Sequence, residues 1–296
     1  MDKLSPPTVA ITGASGFLGS MLVSHFQQQG WRVIALARTI PPAPAFKSVT
    51  YREYDILKPV STSLLGDADY VVHTAYVKQD RNNPNAFESN VQGAKNLLAA
   101  ARANKVKKNV FVSSMSAHKN ATSSYGRQKL AIEKLFDKPQ DISLRFGLIV
   151  GNGGIVQSMV RFMRSEHLVP LLGGGRQPLQ IINVHDAAKV IERVIEQDIS
   201  GRLTIANPRV YTYKEFYKVI SDYLSIRVFF VPVPFFILLT LLKISQALHL
   251  PLDINTENLK GLQKLIAVDT TKDLKSLNIK LDDLNESLRQ AALDKA

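Results

Sequence analysis

Thr8-Val9-Ala10-Ile11-Thr12-Gly13-Ala14-Ser15-Gly16-Phe17-Leu18-Gly19 is the stretch that decides how this chain folds. Its first five residues read as a short apolar strand, and three glycines follow at intervals of three. A helical stretch then runs to Gln29, with Gly30 as its stop, and Trp31–Ala37 is a second strand. Strand, glycine turn, helix and strand within about thirty residues is the context that lifts a glycine motif above chance. Glycines permit the tight turn and let a pyrophosphate reach the amides at the helix N-terminus, where the helix dipole favours negative charge. The reading is a dinucleotide-binding unit.

Outward from that stretch the alternation continues. Val49–Tyr54 reads as a strand ending at Asp55-Ile56, and Tyr70–His73 as another. Asn85–Ala103 is a helix, Asn109–Ser113 a strand, Tyr125–Phe136 a helix and Ile142–Phe146 a strand. This order predicts an α/β fold, a Rossmann-like doubly wound parallel sheet. After Gly147 the texture changes. Gly151–Gly154 and Leu172–Gly175 read as loops flanking a helix over Ile155–Arg164. Leu179–Val184 reads as one more strand, with Asp186 as N-cap of a helix to Glu196. From Tyr211 onward helices are expected to dominate. The predicted organisation is a dinucleotide-binding domain over 1–149, rejoined by 179–207, and a smaller, mainly helical substrate lobe from 150–178 and 208–296.

Composition sets the outer bounds. At 296 residues and 45% apolar content the chain can bury a large core. With no cysteine there is no disulfide framework, thiol catalysis or cysteine-ligated zinc. The six histidines are not at ligand spacing, so no metal site is expected. Met1–Pro7 has no apolar core after its charges, which predicts a cytoplasmic protein. A net charge of +12 suits a polyanionic partner or is simply a solvated basic surface. No basic-plus-aromatic pattern of an RNA-binding module is present, so no specific nucleic acid is expected.

Chemistry concentrates in Ser113-Ser114-Met115-Ser116-Ala117-His118-Lys119-Asn120-Ala121-Thr122-Ser123-Ser124-Tyr125-Gly126-Arg127-Gln128-Lys129. On a helix, Tyr125 and Lys129 lie one turn apart on one face. A free tyrosine titrates near ~10, and a lysine cation beside it favours the phenolate. Ser114, at the end of a strand, is placed to hydrogen-bond an oxygen on which charge develops. That is a proton-transfer site for an alcohol or carbonyl. Alone, this spacing is also that of an ordinary surface pair.

Taken together, these motifs resemble the extended short-chain dehydrogenase/reductase family, the NAD-dependent epimerase/dehydratase group. TGASGFLG at Thr12–Gly19 is similar to its cofactor loop, Asp55-Ile56 to its adenine-side pair, and VVHTA at Val71–Ala75 to its VxHxAA strand. NVQGAKNLL from Asn90, the serine pair, YGRQK, LRFGLIVG at Leu144–Gly151 and INVHDAA at Ile182–Ala188 follow in the family's order. LRFGLIVG lacks the usual proline after its arginine. The resemblance implies Tyr125 as general acid/base, Lys129 as the residue that lowers its pKa and holds the ribose, and Ser114 as the group orienting the reacting oxygen. It implies cofactor contacts from Gly13, Ser15, Gly16, Phe17, Leu18, Gly19, Arg38, Asp55, Ile56, Thr74, Ala75, Lys78, Asn90, Tyr125, Lys129 and Phe146. Asp186 reads as structural rather than catalytic. A homodimer is common among such proteins.

Departures from the family pattern narrow the expectation. Met115-Ser116 stand where dehydratase members carry an Asp-Glu pair, which argues against water elimination. Ala37-Arg38 stand where NAD-preferring members carry an acidic residue, so NADP is expected, with NAD the alternative in which Arg38 only stacks on adenine. The expected substrate is a nucleotide sugar, by 4-keto reduction or 4-epimerisation, with Arg161, Arg164 and Arg176 as candidate diphosphate contacts. Alternatives are a hydrophobic ketone such as a sterol, and a non-catalytic NADP sensor or RNA-associated protein. Val228–Leu242 carries no charge over fifteen residues. It is too short to span a bilayer but a candidate for peripheral membrane contact, with a strand, a proline turn and a helix as the alternative.

Overall fold

The computed structural model describes residues 6–41, 47–78, 83–237, 240 and 261–292. Its main sheet is built from β1 (Thr8–Thr12), β2 (Arg32–Ala37), β3 (Val49–Glu53), β4 (Tyr70–His73), β5 (Lys108–Ser114), β6 (Asp141–Phe146) and β11 (Gly201–Ile205). The strand order is β11-β6-β5-β4-β1-β2-β3. The pairs β1–β2, β2–β3, β1–β4 and β4–β5 are all parallel. Strand β1 is buried at every residue, because helices cover both faces of such a sheet; this is why its sequence is continuously apolar. At the edge, β3 is buried only at Val49 and is half-buried or exposed over the rest of its length. The order reverses between β1 and β4, and ligands of doubly wound sheets bind at that reversal, beyond the carboxyl ends of the strands.

The covering helices are α1 (Phe17–Gln28), the short α2 (Thr62–Leu65), α3 (Ala86–Ala103), α4 (Ser124–Glu133) and α6 (Val184–Glu196). Helix α1 buries Leu18, Leu22 and Phe26, spaced one turn apart, together with Val23 on the same face. Phe26 is fully buried and packs on Trp31 at 4.9 Å between ring centroids. Burying a phenylalanine of this kind stabilises the fold by about 2–3 kcal/mol.

The chain divides into two compact units. The first holds 1–114, 128–145 and 187–203; the second holds 115–127, 146–186 and 204–296. The segment returning to the sheet is thus shorter than the expected 179–207. Leu179–Val184 does form strands, β9 (Pro178–Leu179) and β10 (Ile181–Asn183), but β10 pairs with β7 (Leu148–Val150) rather than with the main sheet.

The two units are of nearly equal size, and among its described residues the second holds three two-stranded sheets beside its helices. β9 pairs with β12 (Tyr211–Thr212), and β8 (Leu168–Leu172) pairs in parallel with β13 (Phe229–Val233). Short β-branched and aromatic runs find partners here, which periodicity alone does not reveal. The core of this unit packs α5 (Gly154–Glu166) through Val156, Val160 and Met163. Phe216 and Ile220 of α7 (Tyr213–Tyr223) and Leu284 and Leu288 of α8 (Leu284–Ala291) complete it. Thr212 and Glu215 form a reciprocal capping box at the start of α7.

Candidate active site

The turn from β1 into α1 is closely packed. Gly13 has φ +70°, and a Cβ there would lie 2.8 Å from Thr74 Oγ1 and 2.9 Å from the Ala75 backbone. A Cβ on Gly19 would collide with the Gly13 carbonyl oxygen. Glycine is therefore required at both positions, once for backbone conformation and once for helix-to-loop packing. Ser15 and Gly16 are exposed. No side chain caps α1, and its first turn holds no acidic residue. Its free amides and dipole are open to a phosphate group. Phe17 is half-buried, whereas Leu18 faces the core.

Behind the turn lies a polar hub that sequence reasoning missed, although His73 stood in a recognised motif. Thr12 Oγ1 accepts the Thr74 and Ala75 amides, each at 3.2 Å, and lies 2.8 Å from His73 Nδ1. With both lone pairs used, the Thr12 hydroxyl donates to Nδ1, which leaves the proton of His73 on Nε2. Burial, reinforced by the charge of Lys129, pushes the pKa of His73 down to about 3, so the ring stays neutral. The Thr74 hydroxyl donates to the Thr12 carbonyl at 2.6 Å. These bonds hold the 74–78 loop beside Gly13. Thr74 and Ala75 are half-buried there, and Lys78 is exposed.

Asn90, on α3, is fully buried. Its amide oxygen accepts from the Val77 amide at 2.8 Å, and its nitrogen donates to Val77 O at 2.8 Å and to Gln128 Oε1 at 3.0 Å. The side chain pins the 74–78 loop from behind.

Helix α4 carries Tyr125 and Lys129 one turn apart, as the spacing predicts. Gly126 brings its first turn against Ser116, whose carbonyl oxygen would be 2.4 Å from an added Cβ. Tyr125 is 38% exposed, whereas Lys129 is only 4% exposed. Lys129 Nζ donates to the Val112 carbonyl at 2.8 Å and lies 4.8 Å from the Phe111 ring centroid and 5.6 Å from that of Tyr76. Burial lowers its pKa to about 8, and the negative charge of Glu133 opposes that shift. Ser114 is half-buried at the end of β5.

The remaining candidates are more dispersed. Arg38 is exposed just beyond β2, and Glu53, in register with Ala37, bonds Lys58 at 3.3 Å. Asp55 accepts the Leu57 amide at 3.0 Å. Ile56 is buried, with its side chain and carbonyl closing on Gly93. Phe146 is buried too, and its carbonyl accepts the Met115 amide at 3.0 Å. In the second unit Arg161 and Arg176 are exposed and Arg164 is half-exposed.

Asp186 is not the helix N-cap. Helix α6 starts two residues earlier, Asn183 Oδ1 accepts the His185 amide at 2.8 Å, and Asp186 instead accepts the Asp282 amide at 2.8 Å. The Asp186 carboxylate thereby anchors the segment leading to α8.

Residues 9–206 match the sequence pattern of the NAD dependent epimerase/dehydratase family. A ceramide reductase of Caulobacter vibrioides is 29% identical over 219 residues, 70% of this chain and 67% of that protein. Among solved structures, the UDP-glucose 4-epimerase of Thermotoga maritima superposes with a TM-score of 0.75 at 19% identity, covering 97% of this chain and 98% of that one. The Bordetella bronchiseptica enzyme WbmH, solved with NAD+, gives 0.76 at 18% identity, with 97% of each chain covered.

Proposed function

The chain belongs to the NAD dependent epimerase/dehydratase family, and from that footing we propose that it interconverts a hydroxyl and a ketone on a nucleotide sugar, by 4-keto reduction or 4-epimerisation. The observation that carries this reading is a buried lysine one helical turn from an exposed tyrosine. The glycine turn, the uncapped start of α1 and the pinned 74–78 loop fit a dinucleotide at the β1–β4 reversal. When bound, its nicotinamide supplies or takes up the hydride.

The chain's own residues handle binding and the proton. The Tyr125 phenol exchanges a proton with the substrate oxygen, releasing it in reduction and accepting it in oxidation. Lys129 favours the phenolate and reaches the ribose, and the Ser114 hydroxyl donates to the same substrate oxygen. Arg161, Arg164 and Arg176 are the proposed partners of the diphosphate. Exposed Arg38, with no carboxylate at the end of β2, favours NADP over NAD.

Replacing Tyr125 by Phe is the direct test. Turnover is expected to fall by about 100- to 10,000-fold while dinucleotide affinity stays within a few-fold. An active variant overturns the assignment. Identifying the dinucleotide released on denaturation, and comparing NADPH with NADH binding, tests the Arg38 reading.

A second reading has specific support. The similarity to a ceramide reductase, together with exposed Phe229 and Phe236, favours a lipid-like ketone. Activity on such a ketone, with none on any nucleotide sugar, would select it. The same residues support peripheral contact with an anionic bilayer. Phe229 is 75% and Phe236 69% exposed, Leu168 pairs with Phe229, and Arg161, Arg227 and Lys264 are exposed basic groups of the same unit. Part of the expected contact segment, 238–239 and 241–242, lies outside the described residues. Among the described residues no helix is long and apolar enough to cross a membrane.

A further inference from the structure

The buried face of α4 is unusual for a helix packed on a sheet. Besides Ile132, it turns Gln128, Lys129 and Glu133 inward. Glu133, one turn beyond Lys129, is 7% exposed, and its carboxylate is surrounded by donors. Arg145 on β6 grips it with two bonds, Nε to Oε1 at 2.7 Å and Nη2 to Oε2 at 2.6 Å. The Ser113 hydroxyl on β5 donates to Oε1 at 2.6 Å, and Arg202 on β11 lies 3.7 Å from Oε2. Ser113 is the residue immediately before Ser114.

We propose that Glu133 is the positioning residue of this site: its carboxylate ties the inner face of α4 to the ends of β5 and β6 and supplies the negative charge that keeps Lys129 an ammonium in an apolar setting. The proposal rests on Lys129 being the acid–base lysine of the reading above.

Lys129 is buried away from water, with its Nζ on the Val112 carbonyl and near the Phe111 and Tyr76 rings. His73 on β4, Tyr76 beyond that strand and Glu133 on α4 act on it, Tyr125 stands one turn before it on α4, and Arg145 on β6 and Arg202 on β11 lie against the Glu133 carboxylate. His73 is neutral, and the arginines are cations that disfavour a third positive charge. Glu133 is the carboxylate among these groups. It opposes the desolvation of Lys129 and offsets Arg145. A glutamine at 133 keeps the shape but leaves the Arg145 guanidinium uncompensated.

The test uses the full chain carrying Glu133→Gln, alone and combined with Lys129→Met. Turnover and dinucleotide binding are followed from pH 6 to 10, and unfolding free energy is measured at pH 7 and pH 10. The alkaline loss of turnover is expected to move down by about one pH unit or more in Glu133→Gln, and to stay in place in Glu133→Asp. An unmoved alkaline limit with lowered stability would make Glu133 merely structural and overturn the proposal.

The double-mutant cycle reads the same coupling without turnover: present at pH 7 and fading by pH 10 is expected, absent at both overturns it. If that coupling is found while Tyr125→Phe remains active, the catalytic reading has failed and the charge-holding role stands. If Glu133→Gln does not fold, Arg145→Met decides, because removing the guanidinium should move the alkaline limit upward. No movement there overturns the proposal.

Discussion

Lys129 is a cation with 4% exposure, and at neutral pH the protein keeps it charged at a cost. Its folded-state pKa of about 8 lies below the ordinary 10.5. The unfolded chain therefore holds that proton more tightly, and the site contributes a penalty on the order of 3 kcal/mol. The penalty is complete below pH 8 and fades as pH rises toward 10.5. Lys129→Met is thus expected to stabilise the fold at pH 7 by about 1–2 kcal/mol, after about 1 kcal/mol is lost with the Val112 hydrogen bond. It should abolish turnover at the same time. Urea unfolding at pH 7 and pH 10 checks this, and a gain that does not shrink at the higher pH would refute it. The tyrosine–lysine spacing was legible in the sequence as a helical pair. Its desolvation was not, because burial of residue 129 is decided by β4 and β5, far away in the chain.

The β1–α1 turn shows how much an element can announce in advance. The glycines at 13, 16 and 19 were readable from spacing, and the structure supplies the reason for two of them. Gly19→Ala drives a Cβ into the Gly13 carbonyl at 2.0 Å, which forces α1 away from the loop. The expected cost is about 1–3 kcal/mol of stability, with a larger fractional loss in dinucleotide affinity because the amides are displaced. Calorimetric binding beside thermal unfolding checks it, and unchanged affinity would mean the loop does not hold the phosphates. The Tyr70–His73 strand is legible to its observed bounds, and Asn85–Ala103 differs from the helix only in including the capping residue Asn85. The position of Asp186 before an apolar helical run suits an N-cap, yet α6 starts two residues earlier. The partner of Asp186 is the amide of Asp282, which no local pattern signals.

For the whole molecule, the net charge of +12 and the exposed phenylalanines of the second unit make one shared prediction. The protein should float with vesicles of anionic phospholipid at low salt. Binding should weaken as salt screens the arginines and be lost in the Phe229→Asp, Phe236→Asp double variant. Failure to co-migrate at low salt sinks the membrane contact. Self-association abolished by the same two substitutions would instead assign the surface to a second copy of the chain.

Local patterning was enough for the Rossmann-like doubly wound architecture. Strand period, helix period and the glycine turn depend on residues a few positions apart, and all are written in the order of the chain. The tertiary structure decided which groups lose their water and which distant groups meet. Glu133 finds Arg145 twelve residues on, Thr12 finds His73 at a separation of 61, and Asp186 finds Asp282 at 96. Leu179–Val184 is legible as strand, but its pairing with β7 and β12 is not. Desolvation and pairing belong to the packed neighbourhood rather than to the chain order. That neighbourhood, not the motif, turns an i,i+4 tyrosine–lysine pair into a buried ammonium beside an exposed phenol.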